Sequence, residues 1–285
     1  MNARTPLLAA MLAIAPVGMQ AATYVDYVTS LNPDVYYRLD EDPIFAAGAP
    51  AVGTTAANLG SGADGYYQSL GSTVLTTGTA SGAIAGNAGI DVTGWAVRTP
   101  DFSLASGTTA FSYNIWAKPT SFGVGDYGVM LGYGNADPTG NSMLLTEDGA
   151  GGTGKIFFGR GGSSLFTSNG SMTAAAWNSI GVTYNGSNTI KLYLNGALDT
   201  TFTGTIAAFG NQFAVLGAYF SSGTLQFAGG LDEFSYWTGT TLSDTQMSNL
   251  GNAAIPEPSA AILLVVGGLT VLLFRRRKPC ASFGK

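Results

Sequence analysis

The side chains best placed for acid–base chemistry are two adjacent carboxylate pairs, Asp232-Glu233 and Glu147-Asp148, and a run of three, Asp40-Glu41-Asp42. Retaining hydrolysis of a glycosidic bond needs two carboxyl groups roughly 5–5.5 Å apart. Residues two apart on a strand can supply them, because they share a face, whereas immediate neighbours point to opposite faces. Neither adjacent pair is therefore expected to form such a dyad within one strand, so a hydrolase would have to draw its carboxylates from different strands. Asp232 has two other readings: a carboxylate capping loop amides at a sheet edge, or a ligand for calcium, a hard cation that takes oxygen ligands. Asp40-Glu41-Asp42, just before Pro43, reads as a solvated loop or a cation-binding loop. The sequence contains no histidine and a single cysteine, Cys280. His-based triads, His zinc sites and haem held by His are thereby excluded, and residues 22–255 contain no disulfide.

Charge narrows the partners. Within residues 22–255 sixteen of the seventeen acids face six bases, Arg38, Arg98, Lys118, Lys155, Arg160 and Lys191, a net charge of −10. Nucleic acid needs a basic footprint and is excluded as a partner. Aromatic rings could stack on sugars. The four tryptophans, Trp95, Trp116, Trp177 and Trp237, are expected mainly in a core, where large aromatics supply much of the burial. Tyr66, Tyr67, Tyr127 and Tyr133 lie beside Gly-rich turns and are the candidates for an exposed ligand surface.

The elements that must position these residues are strands. Charged residues make up only 10% of the chain and glycines number 41, a composition suited to an all-β extracellular protein. Ala110 to Lys118 alternates, with Phe111, Tyr113, Ile115 and Ala117 on one face and Ser112, Asn114, Trp116 and Lys118 on the other. Tyr127–Tyr133, Ser142–Thr146 and Lys155–Gly159 are further short apolar runs. In Trp177 to Leu198, Ile180, Val182 and Tyr184 share a face, as do Ile190, Leu192 and Leu194. Asn185-Gly186-Ser187-Asn188 is a turn cluster, and Asn195-Gly196 makes a tight turn, since both of its residues tolerate positive φ. Gly230 to Trp237 is a final strand carrying Asp232 and Glu233. Ser243 and Gln246 form a capping box that predicts a helix over about 244–250, the only one expected in this region. Residues 43–90, rich in Ala, Gly, Thr and Ser, predict long loops with few strands.

The two ends have a different character. Residues 1–21 combine Arg4, a short apolar run from Leu7 to Val17 and a small residue at Ala21, the order of a secretory signal peptide. Residues 253–285 carry Pro256-Glu257-Pro258, an uncharged apolar stretch over 260–274 that predicts a transmembrane helix, and a basic end of Arg275, Arg276, Arg277 and Lys278. The basic cluster should remain cytoplasmic.

This tail resembles the PEP-CTERM sorting signal, whose parts occur in the same order. The resemblance implies recognition and cleavage by an exosortase-type enzyme of the inner membrane, and delivery to the cell surface or extracellular matrix of a bacterium that makes exopolysaccharide. The segment over 22–252 resembles a laminin-G-like, concanavalin-A-like jelly roll. The likeness rests on Asn32–Leu39 as opening strand, Phe111–Pro119, Trp177–Gly186, the Lys191-Leu192-Tyr193-Leu194-Asn195-Gly196 hairpin, Gly230-Leu231-Asp232-Glu233-Phe234 and the helix after Leu242. It implies a sandwich of two antiparallel sheets, binding of glycans or proteins, and often one calcium ion. For calcium the matching residues are Asp232 with Asn58 and Asp64 of the loop Asn58–Gly65, Asn58 standing where the family has Asp. The functions that follow are a non-enzymatic binding or structural module of an exported protein, a lectin-like adhesin for exopolysaccharide, or a polysaccharide hydrolase.

Glu257→Ala should block processing of the tail and surface display while leaving the sandwich folded. Fractionation and immunoblotting of cells carrying the variant would check this, and unchanged processing would contradict the sorting reading.

Overall fold

Two sheets paired face to face bury the alternating apolar residues of this chain. The computed structural model describes residues 23–41, 55–70, 77–79, 82–84, 87–99, 108–122, 128–134, 142–147, 152–160, 163–206, 213–219 and 225–252. Thr23–Ile255 is one structural unit. The segments read from sequence as a signal peptide and a sorting tail lie outside the described residues.

One sheet contains β1 (Val35–Tyr37), β4 (Thr77–Thr79), β5 (Gly89–Asp91), β7 (Phe111–Pro119), β12 (Asn178–Tyr184), β13 (Thr189–Leu194), β14 (Ala197–Thr203) and β16 (Gly229–Thr238). Its order is β14-β13-β12-β7-β16-β5-β4, with β1 also on β16. The second sheet contains β2 (Thr55–Ala56), β3 (Gly65–Ser69), β6 (Trp95–Arg98), β8 (Val129–Gly134), β9 (Ser142–Glu147), β10 (Lys155–Arg160), β11 (Ser163–Ser171) and β15 (Ala214–Leu216). Its order is β11-β10-β9-β8-β15-β6-β3-β2. This is the all-β two-sheet sandwich expected, with the short helix after the last strand. Between the sheets, Phe111, Tyr113, Ile115, Ile180, Val182, Tyr184, Ile190 and Leu192 pack in one core with Leu131, Tyr133, Leu145, Ile156 and Phe158. The faces assigned from alternation in β7, β12 and β13 are the faces observed. Asn195 and Gly196 both adopt positive φ, 52° and 76°, as an Asn-Gly hairpin turn requires.

The first sheet is apolar on its outer side too, and two helices cover it. Helix α2 (Asp244–Leu250) has the expected capping box on Ser243 and Gln246. Helix α1 (Tyr24–Ser30) corrects the expectation of a single helix. Its capping box is built from Thr23 and Asp26, with Asp in place of the usual Glu or Gln, and it runs for only seven residues. Tyr24, Val28, Met247 and Leu250 from the helices pack on Tyr36, Trp116, Tyr193 and Trp237 of the sheet. The polar tips of these aromatics are satisfied inside the layer. Trp116 Nε1 donates to the Tyr24 hydroxyl (3.1 Å), which donates to the Leu250 carbonyl (3.0 Å), and Trp237 Nε1 donates to the Leu31 carbonyl (2.9 Å).

Residues 43–90 contribute β2, β3, β4 and the start of β5, more strand than composition suggested. These strands are two to five residues long, and their Gly, Ala and Thr content hides them, because what fixes them is pairing with neighbours rather than propensity.

At the entrance to β16, Gly229 has φ of 151° and a Cβ there would lie 2.2 Å from the Lys118 carbonyl oxygen. Gly229→Ala should therefore cost roughly 2 kcal/mol or more, combining backbone strain with overpacking. Gly239→Ala, which has positive φ but nothing within 4 Å of its Cβ, should cost less. Thermal melting of the two variants of the full chain checks the order.

Candidate functional site

Strand β16 is flanked along its length by β7, while β5 and then β1 share its other edge. Leu231 pairs with Ile90 of β5 and Phe234 with Tyr37 of β1, so Asp232-Glu233 falls in the gap between them. On the β7 side the register slips at the same place, with Asp232 opposite Trp116 and Ser235 opposite Asn114. Glu233 adopts a φ of 51°. One extra residue and a left-handed backbone define a β-bulge. The bulge overturns the expectation that Asp232 and Glu233 point apart. Asn87 Nδ2 donates to Glu233 Oε1 (2.7 Å) and to Asp232 Oδ1 (3.2 Å), so both carboxyls lie on the same side.

Both are buried, with 0% exposure. Asp232 Oδ2 accepts the Ala83 amide at 2.8 Å. Glu233 Oε2 accepts a short hydrogen bond from the Tyr36 hydroxyl, and Arg38 Nε lies 3.8 Å from Glu233 Oε1. Arg38 is shared with Asp40, whose carboxylate it meets at 2.8 Å. Burial, and then the neighbouring Glu233 charge, push the Asp232 carboxyl up to about 9. Burial also raises Glu233, to about 7, against the Tyr36 hydrogen bond and the Arg38 charge, which favour its anion. The pair is therefore kept wholly or partly protonated near neutral pH. It is a structural acid node rather than an accessible dyad.

The Asp40-Glu41-Asp42 run is not simply solvated. Beyond the Arg38–Asp40 pair, Glu41 accepts the Tyr67 hydroxyl (2.5 Å) and the Ala57 amide (2.7 Å). Asp42 lies outside the described residues, as does Asp148, while Glu147 ends β9.

The residues implied for calcium fall into two groups. Asn58 Oδ1 accepts the Tyr36 and Gly60 amides at 2.7 and 2.9 Å, and its Nδ2 donates to the Asp34 and Ala63 carbonyls. Asp64 Oδ1 accepts the Asn58 amide at 2.8 Å. Asn58 and Asp64 thus brace one loop against β1, whereas Asp232 is held by Ala83 and Asn87. With Asn58 fully used internally, the set does not fit a calcium site as placed. Among the described residues no group of three or more acidic or thiol side chains could hold a metal ion.

The aromatic candidates divide similarly. Tyr67 and Tyr133, at 0% and 2% exposure, are core residues and not the exposed rings expected beside glycines. Alternation along β3 turns Tyr67 inward and leaves its neighbour Tyr66 on the outer face of the second sheet, half-buried. Tyr127 lies outside the described residues. Sequence reading missed Arg98 and Phe213. Arg98 sits opposite Tyr66 in the β3–β6 ladder. Its guanidinium carbon lies 3.8 Å from the Phe213 ring centre and 5.9 Å from that of Tyr66.

A protein-family model described as the concanavalin A-like lectin/glucanases superfamily matches residues 91–248. The chain belongs to this superfamily. The match spans the strands from β6 to β16 and most of α2. No curated protein sequence matches the chain. Among solved structures, domain 4 of AbnA, an extracellular arabinanase from Geobacillus stearothermophilus, in complex with arabinotriose, shares 15% identity over 78% of this chain and 98% of that one, with a TM-score of 0.55. The binding domain of Paraclostridial Mosquitocidal Protein 1 shares 14% over 78% of this chain and 52% of that one, at 0.51. A Trypanosoma rangeli sialidase shares 12% over 79% of this chain but only 33% of its own, at 0.52. These likenesses show a common sandwich fold.

The acid node should make the stability of this superfamily member depend on pH. The carboxyls of Asp232 and Glu233 titrate higher folded, near 9 and 7, than their ordinary values of 3.8 and 4.5. Across that window the folded state holds more protons than the unfolded one, so this contribution to stability is complete below about pH 4 and is lost as pH rises toward about 9. The melting temperature of the full chain should fall between about pH 5.5 and about pH 8.5, and Glu233→Gln should flatten the fall. A melting temperature that rises over this range would contradict the assignment.

Proposed function

We propose that this chain is an exported bacterial surface or matrix protein whose sandwich binds glycan without cleaving it. The observation that carries the second half is the state of the one adjacent acid pair that lies on a strand within the described residues. Asp232 and Glu233 are brought together, yet both are buried at 0% exposure and hydrogen-bonded to Asn87, and Asp232 also to the Ala83 amide. Membership of a lectin and glucanase superfamily leaves sugar binding as the reading that remains once this pair is set aside. Support also comes from a domain of the same fold whose structure holds arabinotriose.

Export and sorting complete the reading. The order of charged start, apolar run and small residue at the N-terminus, and of Pro256-Glu257-Pro258, apolar stretch and Arg275–Arg277 at the other end, supports passage through the inner membrane and handling by an exosortase-type enzyme. The glycan would then be the cell's own exopolysaccharide or another surface glycan, which a sorted protein meets first.

Retention of the full chain on immobilised polysaccharides, together with an assay for new reducing ends, tests the binding reading. The expected result is retention on at least one polysaccharide with no release of reducing sugar. Release that disappears in Glu233→Gln would instead establish a hydrolase, and no retention on any polysaccharide would favour a purely structural module.

A further inference from the structure

The outer face of the second sheet differs from that of the first in having no helical layer among the described residues. Where β3, β6 and β15 meet, alternation turns Tyr66, Gln68, Ala96, Arg98, Phe213 and Val215 to this side, opposite the inward Tyr67, Val97, Ala214 and Leu216. Ala96 and Val215 make an apolar floor against which Phe213 packs. Above it, Arg98 lies over the Phe213 ring at 3.8 Å.

Arg98 is the unusual member of this group. The ion pairs among the described residues use Arg38 and Lys191, and none uses Arg98. Its side chain makes no hydrogen bond there either, so its five N–H donors are uncommitted among the described residues. Stacking on an aromatic ring fixes the plane of a guanidinium without using its edge. Tyr66, opposite Arg98 on the neighbouring strand, presents a half-buried ring whose hydroxyl is likewise unpaired among the described residues. The side-chain oxygen of Gln68, two residues along the same face, has no partner among the described residues.

We propose that Tyr66, Arg98 and Phe213 form a binding site for a carboxylated sugar, a uronic acid unit of an acidic polysaccharide, resting on the glycan-binding reading above. A pre-oriented guanidinium edge matches a planar carboxylate with two parallel hydrogen bonds. The Tyr66 ring and hydroxyl suit the face and hydroxyls of the adjoining pyranose. One isolated cation is enough for one sugar carboxylate, whereas a nucleic-acid backbone would need a continuous basic track that residues 22–255, at a net charge of −10, do not have. That net negative charge does not prevent the contact, because exposed charges beyond about 8 Å are largely screened at physiological ionic strength.

Calorimetric titration of the full chain, kept in mild detergent, with oligogalacturonate and with oligomannuronate provides the test. At least one should bind, and its methyl ester, which keeps the ring and removes the charge, should bind at least 10-fold more weakly. Arg98→Gln should lose at least 10-fold, and Arg98→Lys, which keeps the charge but not the fork, should also be weakened, both with the wild-type melting temperature. Equal binding of acid and ester, or unchanged binding by both Arg98 variants, overturns the proposal. So does failure of both uronates to bind, while retention of a neutral polysaccharide in the same preparation would leave the glycan-binding reading standing. Failure on every glycan would remove both.

Discussion

Strand β16 has to be buried on both of its faces, and the rest of the domain is arranged to meet that requirement. Nine of its ten residues are buried. Leu231, Phe234 and Tyr236 enter the core between the sheets, while Trp237 enters the layer beneath the helices. A strand enclosed in this way needs a second sheet on one side and a helical cover on the other. The two short helices supply the cover, and their aromatic and apolar side chains gain stability from burial that helices of seven residues could not provide by propensity alone.

The same enclosure explains the acid node. Two carboxyls cannot be taken out of water together as anions without a large cost, so buried acid pairs retain protons or find cations. Here the bulge turns both groups toward Asn87, Tyr36 donates to one of them, and Arg38 lies nearby but is divided between Glu233 and Asp40. The arrangement joins β16 to Ala83, Asn87 and β1 at the place where β5 and β1 leave a gap. It is a fastening made from groups that in an open groove would be read as catalytic.

Aromatic residues show the complementary pattern. Most of the rings among the described residues that could stack on sugar are spent on burial, including Trp95, Trp116, Trp237, Tyr67 and Tyr133. What is left for recognition where β3, β6 and β15 meet on the outer face of the second sheet is small: Tyr66, Phe213 and a guanidinium stacked on the latter. Binding modules need few contacts of this kind when the groups are held rigid by a sheet, because less freedom is lost on association.

By itself, the sequence determined the sandwich. Alternation in Phe111–Pro119 and in the Asn178–Leu194 hairpin, the Asn-Gly turns and the Ser243–Gln246 capping box are local patterns with local physical causes, and each was legible. The resemblance of Pro256-Glu257-Pro258 and the residues after it to a sorting signal is likewise a reading of sequence alone. Helix α1 was within reach, since Thr23 and Asp26 carry its capping pattern. Tertiary structure decided the rest, because it depends on what lies across a gap in sequence. The facing of Asp232 and Glu233 follows from a register slip set by β7, β5 and β1, more than a hundred residues apart along the chain, and no rule of alternation within β16 could foresee it. The burial of Tyr67, the commitment of Asn58 to its own loop and the meeting of Arg98 with Phe213 likewise come from strand pairing, which local composition does not encode.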